Sequence, residues 1–184
     1  MWDVGTRKET RVFSTEGEFP WSLTFSADSR VLMAGCWKGL LKLWPLDGQG
    51  EAATFPGHSV VQGLALLPDG QTFISVAGSL RFWDVGTRRE NAPNVSPRAG
   101  GFSCLALSPD GRRFATGASD GRITIWDVAS HHELATLKGH EESVRQLAFT
   151  PDGDDLVSVS KDQLRVWRAA SWAEADAAEE EAGK

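Results

Sequence analysis

Three side chains near the end of the chain have the types used in nucleophilic catalysis. His140, Ser158 and Asp162 could supply a base, a hydroxyl and an acid that orients the base. The chain also contains a literal Gly-x-Ser-x-Gly at residues 117–121, the pattern of a nucleophile elbow. These residues suggest a hydrolase. Whether they can act as one depends on the strands, helices or loops in which they lie.

Two landmarks repeat along the chain with a common period. A turn quartet recurs at steps of 41, 41 and 42 residues. It is written SADS at 26–29, LPDG at 67–70, SPDG at 108–111 and TPDG at 150–153. A tryptophan follows each quartet, and one more lies a period earlier, giving Trp2, Trp44, Trp83, Trp126 and Trp167. The hexapeptide WDVGTR, at 2–7 and again at 83–88, is therefore one element of a longer repeat.

Each repeat contains short apolar stretches that predict β-strands. WSLTF, QGLAL, SCLAL and RQLAF stand before the quartets, and their apolar side chains alternate with the period of a strand. A second apolar run follows each quartet, a third ends in the tryptophan, and a weaker fourth leads into the next repeat. Each repeat thus predicts four short antiparallel strands, and no helical period competes within residues 1–168.

A four-stranded repeat of about 40–45 residues that closes on Trp-Asp resembles the blade of the WD40 β-propeller family. Trp-Asp occurs at 2–3, 83–84 and 126–127, and Gly-His, which opens a blade in that family, occurs at 57–58 and 139–140. The resemblance covers residues 1–168 and implies an all-β fold of four four-stranded antiparallel blades, as a partial propeller or half of a dimeric ring. The remaining residues, 169–184, predict a short acidic C-terminal tail that is helical or disordered. The Arg- and Ala-rich style resembles bacterial members of the family.

The resemblance also gives a structural role to the residues that suggested catalysis. In the family a histidine, a Ser or Thr, an Asp and the closing tryptophan form a buried hydrogen-bonded tetrad in each blade. The matching residues are His140, Ser158, Asp162 and Trp167 in the fourth repeat, His58, Ser75 and Trp83 in the second, Thr116, Asp120 and Trp126 in the third, and Trp44 alone in the first. The Gly-x-Ser-x-Gly is expected to be spurious, because the strand sequence RITIW follows it where an elbow needs a helix.

Composition narrows the remaining classes of function. The formal net charge of −6 gives no basic footprint for nucleic acid, and no apolar run approaches the roughly 18 residues that cross a bilayer. Cys36 and Cys104 lie inside apolar runs without a disulfide spacing, which favours a reducing, cytoplasmic location. The sequence has no motif for a phosphate, dinucleotide or metal, so we expect no cofactor and no enzymatic activity.

Loops at one end of the predicted blades are the expected site for a protein or peptide partner. The candidate surface consists of Phe19, Trp21, Lys38, Ser59, Phe102, Glu141, Glu142 and Lys161. For Trp21, Trp37 and Phe102 a buried packing role is the commoner use of an aromatic side chain. The leading function is a non-enzymatic scaffold for protein–protein interaction. The alternatives are a propeller-based hydrolase with its site at the channel mouth and a truncated remnant without independent function.

Four repeats are few for a propeller, because an open arc of blades would expose two apolar faces. Three arrangements are considered. The chain could be the C-terminal part of a larger propeller protein, as its start within a repeat at Met1-Trp2 suggests. It could form a homodimer that closes an eight-bladed ring, in which residues 8–14, KETRVFS, are a free outer strand that completes the partner's last blade. Closure of one four-bladed ring is the third arrangement.

Overall fold

Every regular element of the described chain is a β-strand. The computed structural model describes residues 1–26, 28–48, 52–56, 60–97 and 99–168, so the predicted acidic tail lies outside the described residues. Within those ranges the strands form four antiparallel sheets and one small hairpin. No helix that could cross a membrane occurs in these parts of the chain. The all-β prediction is confirmed.

The four sheets follow one another along the chain as blades 1 to 4. Blade 1 contains β3 (Pro20–Phe25), β4 (Val31–Cys36), β5 (Leu40–Pro45) and β6 (Ala53–Pro56). Blade 2 contains β7 (Gly63–Leu66), β8 (Thr72–Ala77), β9 (Ser79–Asp84) and β10 (Arg89–Glu90). Blade 3 contains β11 (Phe102–Leu107), β12 (Arg113–Ala118), β13 (Ile123–Asp127) and β14 (Glu133–Leu137). Blade 4 contains β15 (Gln146–Phe149), β16 (Asp155–Val159) and β17 (Leu164–Arg168), so within the described residues it has three strands.

The first two strands form a separate hairpin. β1 (Trp2–Asp3) pairs with β2 (Lys8–Glu9), with Trp2 opposite Glu9 and Asp3 opposite Lys8. The outer strand predicted at residues 8–14 is therefore not free, because its first two residues already pair with Trp2-Asp3. The same register joins the last two strands of blade 2, where Trp83 lies opposite Glu90.

The Asp of the Trp-Asp dipeptide stabilises the turn of this hairpin, which is formed by residues 4–7. The carboxylate of Asp3 accepts a hydrogen bond from the backbone N–H of Thr6 at 2.5 Å, and Asp84 accepts the equivalent bond from Thr87 at 2.6 Å. One turn residue in each copy, Arg7 or Arg88, takes a left-handed conformation with φ of 56° or 57°. The two copies of WDVGTR thus adopt the same turn. In each copy the Asp carboxylate accepts the threonine N–H, which has no partner in a neighbouring strand.

The turn quartets join the first and second strands of the blades by similar chemistry. In blade 2 the Asp69 carboxylate accepts bonds from the N–H groups of Gln71 and Thr72, both at 2.8 Å. Gly70 follows with a φ of +65°, a conformation that glycine adopts without steric cost. In blades 2 to 4 the Pro-Asp-Gly sequence therefore fixes where the innermost strand turns into the second strand.

Neighbouring blades pack face to face through apolar side chains. We call the side of a blade that meets the preceding blade its leading face, and the opposite side its trailing face. Leu41, Leu43 and Phe55 on the trailing face of blade 1 share one core with Leu64 and Trp83 on the leading face of blade 2. Two further cores join blades 2 and 3 and blades 3 and 4. The innermost strands β3, β7, β11 and β15 contact one another in chain order, as in a propeller.

The two outermost faces lack such a neighbour among the described residues. On the leading face of blade 1, Leu23 and Phe25 are 63% and 49% exposed. On the trailing face of blade 4, Leu164 and Val166 are 65% and 56% exposed. These two faces do not cover each other, so the described blades do not close into a four-bladed ring.

Candidate functional site

The residues that suggested catalysis form a buried hydrogen-bond chain in blade 4. The indole Nε1 of Trp167 donates to the hydroxyl of Ser158 at 2.7 Å, and that hydroxyl lies 2.7 Å from Nε2 of His140. The indole and the imidazole thus share this one hydroxyl, and Nδ1 of His140 is buried without a hydrogen-bond partner. Burial, followed by the nearby charge of Arg165, lowers the pKa of His140 from its usual value. The histidine is thus a neutral link between its loop and the strand β16.

The other blades repeat part of this chain. Trp83 donates to Ser75 and Trp126 donates to Thr116, each at 2.8 Å, and both acceptors are fully buried. Asp162, the acid of the tetrad predicted for blade 4, is not buried with the other three residues. Its side chain is exposed and acts on His140 through its charge. Asp120 accepts a bond from the N–H of Arg122 at 3.2 Å instead of from a histidine. His58 lies outside the described residues.

Neither serine pattern provides an accessible nucleophile. Ser158 and Ser75 are 0% exposed, so a substrate could not reach either hydroxyl without unfolding of the blade. In the Gly-x-Ser-x-Gly, β12 ends at Ala118 and β13 begins at Ile123, so a strand follows the serine and no elbow is formed. Among the described residues no group of His, Cys, Asp and Glu side chains has the arrangement of a metal site.

An exposed group of aromatic side chains lies at one end of blade 1. Phe19, Trp21 and Trp37 are 73%, 59% and 51% exposed, and we call them the aromatic cluster. The two indole rings meet edge to face with their centroids 5.3 Å apart. The N–H of Trp37 donates to the carbonyl of Phe19 at 2.8 Å, which ties the turn after β4 to the loop before β3. This fixed apolar surface has the composition of a protein-binding site.

Charged side chains flank the aromatic cluster. Nζ of Lys38 lies 3.4 Å from Oε1 of Glu18, and the lysine side chain is 69% exposed. The second carboxylate oxygen of Glu18 is buried without a hydrogen-bond partner. Nearby Lys42, on β5, is 1% exposed and is paired with Glu16 at 2.8 Å. Sequence reasoning missed Lys42, and its position inside the apolar run LLKLW was the available signal.

The remaining predicted surface residues divide into three groups. Glu141, Glu142 and Lys161 are exposed in the loops of blade 4 that correspond to those carrying the aromatic cluster. Ser59 lies outside the described residues. Phe102 takes the buried role and not the surface one, because its side chain is 3% exposed and packs edge to face on Trp126 at 6.0 Å. For Trp21 and Trp37 the buried role expected of most aromatics does not hold.

Antiparallel blades that each close on a tryptophan, bonded in blades 2 to 4 to a buried hydroxyl, and that pack in chain order, define a repeat-built β-propeller protein. The family described as "WD domain, G-beta repeat" matches residues 7–45, 50–84, 97–127 and 131–168. The chain therefore belongs to the WD40 family.

Curated relatives match the chain over most of its length. It is 27% identical to "Pre-mRNA-processing factor 19 homolog 2" of Arabidopsis thaliana, over 79% of this chain and 29% of the relative. It is 28% identical to "Protein groucho" of Drosophila melanogaster, over 89% of this chain and 24% of the relative. It is 27% identical to "Ribosome biogenesis protein WDR12 homolog" of Drosophila persimilis, over 80% of this chain and 41% of the relative. The chain thus spans less than half the length of these relatives, which are all eukaryotic, and a bacterial origin stays a prediction.

Proposed function

We propose that the chain is a non-enzymatic WD40 scaffold that binds a protein or peptide partner through the loop end of its blades. The observation that carries this proposal is the aromatic cluster of Phe19, Trp21 and Trp37, which is exposed yet held by backbone and ring contacts. Rigid, exposed aromatic side chains bury large area on binding at a small cost in side-chain entropy. Lys38 and Glu18 provide a polar rim for the same surface.

A hydrolase at the channel mouth has no support from the described side chains. The His140–Ser158 pair that suggested it lies inside blade 4, and the hydroxyls of Ser158 and Ser75 already accept hydrogen bonds from tryptophan. The matched relatives are named for different processes, pre-mRNA processing in one and ribosome biogenesis in another. A family in which partners define the role of each member accounts for such variety better than one shared reaction.

We also propose that the four blades belong to a larger propeller and that the chain is cytoplasmic. The exposed leading face of blade 1 and trailing face of blade 4 support the first statement, since each has the apolar pattern of a covered face. Further blades could come from a longer protein, as its C-terminal part, or from a homodimer. Cys36 and Cys104 are free and buried, which fits a compartment that keeps thiols reduced.

Comparative capture tests the scaffold proposal. The double variant Phe19→Ser/Trp37→Ser and the matched control Leu134→Ser, which changes an exposed side chain on the outer strand of blade 3, are used as baits beside the unaltered chain. Binding proteins from the native host lysate are measured by quantitative mass spectrometry. We expect one set of partners to be retained by the chain and the control and lost by the double variant. Equal capture by all three baits contradicts the proposal.

A further inference from the structure

The first fifteen residues have the register and packing of the outer part of a blade. The hairpin β1–β2 has the register of the last two strands of blade 2, with a tryptophan opposite a glutamate. Four residues after Glu9, Phe13 packs on Trp44 with ring centroids 5.7 Å apart. Phe55 packs on Trp83 in the same way at 6.5 Å, one blade later. Residues 8–14 thus already occupy the place of a fourth strand in front of blade 1.

A cavity marks the space where the inner strands of that blade would lie. It has a volume of about 390 Å³ and is lined by Phe13, Leu23, Phe25, Leu32 and Trp44, among others. At the covered interface between blades 1 and 2, the corresponding space contains Leu41 and Leu43 of β5. An occupant of the cavity must therefore present two apolar side chains spaced along a third strand.

Blade 4 presents the strands and apolar side chains that would complement this cavity and the β1–β2 hairpin. Its described part contains three inner strands, and the outer edge of β17 has no strand beside it there. Leu164 and Val166 on β17 stand at the repeat positions of Leu41 and Leu43, and both are more than half exposed. Blade 4 therefore presents the two side chains that the cavity requires, together with an edge that can accept a fourth strand.

We propose that two copies of the chain join head to tail, so that Leu164 and Val166 of one copy fill the cavity of the other and β15–β17 complete its hairpin into a blade. In this arrangement β17 displaces the short strand β1 from β2. The repeat register places Trp167 opposite the partner's Glu9 and Leu164 opposite the partner's Phe13. Both copies make the same exchange, which closes an eight-bladed ring by two-fold symmetry. This inference rests on the proposal that the blades belong to a larger propeller.

The exchange breaks a small pairing and forms a larger apolar interface. The pairing lost is that of two exposed residues on each strand of the β1–β2 hairpin, together with the hydrogen bonds of Met1 to Thr10 and Arg11. The new interface buries Leu23, Phe25, Leu164 and Val166, whose counterparts at the covered interface, Leu64, Leu66, Leu41 and Leu43, are at most 8% exposed. The aromatic cluster stays accessible in the ring, because Gln62 and Arg145, the counterparts of Trp21, are exposed beside covered faces.

Light scattering on the full chain tests the exchange. The unaltered chain is expected at about 40 kDa, twice the 20.0 kDa of one copy. Leu23→Asp and Val166→Asp are each expected at the mass of one copy, since each places a charge in both interfaces. Leu134→Asp, on neither face, serves as the control and keeps the doubled mass, and circular dichroism checks that each variant folds.

A mixture of the two face variants separates head-to-tail packing from other modes of dimerisation. The unaltered trailing face of Leu23→Asp can meet the unaltered leading face of Val166→Asp, so mixing them restores a dimer through one interface. Face-to-face packing of two leading faces predicts no such rescue. Lys8→Glu is expected to strengthen the dimer. The substituted side chain repels Asp3 in the β1–β2 hairpin and lies opposite the partner's Arg168 in the ring. The dimer should therefore persist to a roughly twofold to tenfold lower concentration.

The measured masses and the capture results test the strand exchange and the scaffold proposal separately. A mass of one copy at all concentrations, a mass above two copies, or a mixture that stays monomeric overturns the exchange. A monomeric chain that still captures partners through the aromatic cluster leaves the scaffold proposal intact. A dimer whose partner capture is unaffected by Phe19→Ser/Trp37→Ser supports the exchange and contradicts the proposed surface.

Discussion

The covered interface between blades 1 and 2 and the open faces at the two ends carry the same residue pattern with opposite burial. Leu64 is 8% exposed and Leu23, its counterpart one repeat earlier, is 63% exposed. Leu41 is 0% exposed and Leu164, its counterpart in blade 4, is 65% exposed. The repeat thus encodes which side chains can be buried, and the presence of a neighbouring blade decides whether they are.

The largest difference should appear between matched leucines on a covered and an open trailing face. Both substitutions are made in the monomeric Leu23→Asp background, so that dimerisation does not contribute. Leu41→Ala is expected to lower the free energy of unfolding by about 2–5 kcal/mol, because it leaves a cavity in a closed core. Leu164→Ala should change it by less than about 0.5 kcal/mol, since the side chain is already in solvent. Urea titrations followed by tryptophan fluorescence measure both, and equal losses contradict the account.

A glycine at the interface of blades 3 and 4 should be nearly as sensitive. A methyl group on Gly117 would lie 2.5 Å from Sγ of Cys104 and 2.6 Å from Cγ1 of Val144. Gly117→Ala is therefore expected to lower the free energy of unfolding by about 1–3 kcal/mol. Gly86→Ala in an outer hairpin is the control, because its methyl group would meet only Asp84 at 3.5 Å. If Gly117→Ala unfolds at the same urea midpoint as the unaltered chain, Cys104 and Val144 can move to make room for the methyl group and the prediction is wrong.

Polar links within the blades should have effects of about 1–2 kcal/mol. Ser75→Ala removes the acceptor of the buried Trp83 N–H, so it should lower the free energy of unfolding by about that amount. Blade 1 offers the reverse change, since Ala34 occupies the position of Thr116 relative to its tryptophan. Ala34→Thr is expected to raise the melting temperature by giving Trp44 an acceptor. A fall in the melting temperature of Ala34→Thr would mean that the site has no room for the hydroxyl.

The smallest expected effects are those of pH. Burial and Arg165 lower the folded-state pKa of His140 below 6.5, so stability should decline as the pH falls from 6.5 through that lowered value. Hydrogen bonds from Thr87 and Ser130 lower the pKa of Asp84 and Asp127 below 3.8, which adds a second decline as the pH falls from 3.8. Thermal melts of His140→Gln should show a smaller first decline, the rest coming from His131, whose pKa is also lowered by burial, and those of Asp84→Asn should show a weaker second one. An unchanged first decline in His140→Gln would assign it to another group.

The strands and turns were predictable because they depend on local chemistry. The period-2 runs and the Pro-Asp-Gly quartets located the innermost strands, since alternation and turn residues act within a few positions of the chain. The pairing of Trp83 with Ser75 and of Trp126 with Thr116 also followed the repeat. These features need no knowledge of the neighbouring blade.

The errors arose where a neighbour decides the outcome. Phe102 was included in the candidate surface although a packing role was the commoner expectation, and β11 lies against blade 2 and buries its ring. Trp21 and Trp37 are exposed because they lie at the loop end of blade 1, where Gln62 and Arg145, the counterparts of Trp21, are exposed as well. Asp162 has the right position along the chain for a buried tetrad, yet its side chain faces solvent. Such differences depend on contacts between distant segments, which a repeat pattern does not report.

Cysteine cross-linking between two copies tests the central claim most directly. Phe13→Cys and Leu164→Cys chains are purified separately, mixed and oxidised, and the products are separated on a non-reducing gel. Head-to-tail exchange predicts a cross-linked species of about 40 kDa, twice the 20.0 kDa of one chain, only in the mixture. The native cysteines should not interfere, because both are buried and burial raises the pKa of Cys104 to about 11. Absence of the cross-link, or equal cross-linking of Phe13→Cys with Leu134→Cys, would contradict the claim.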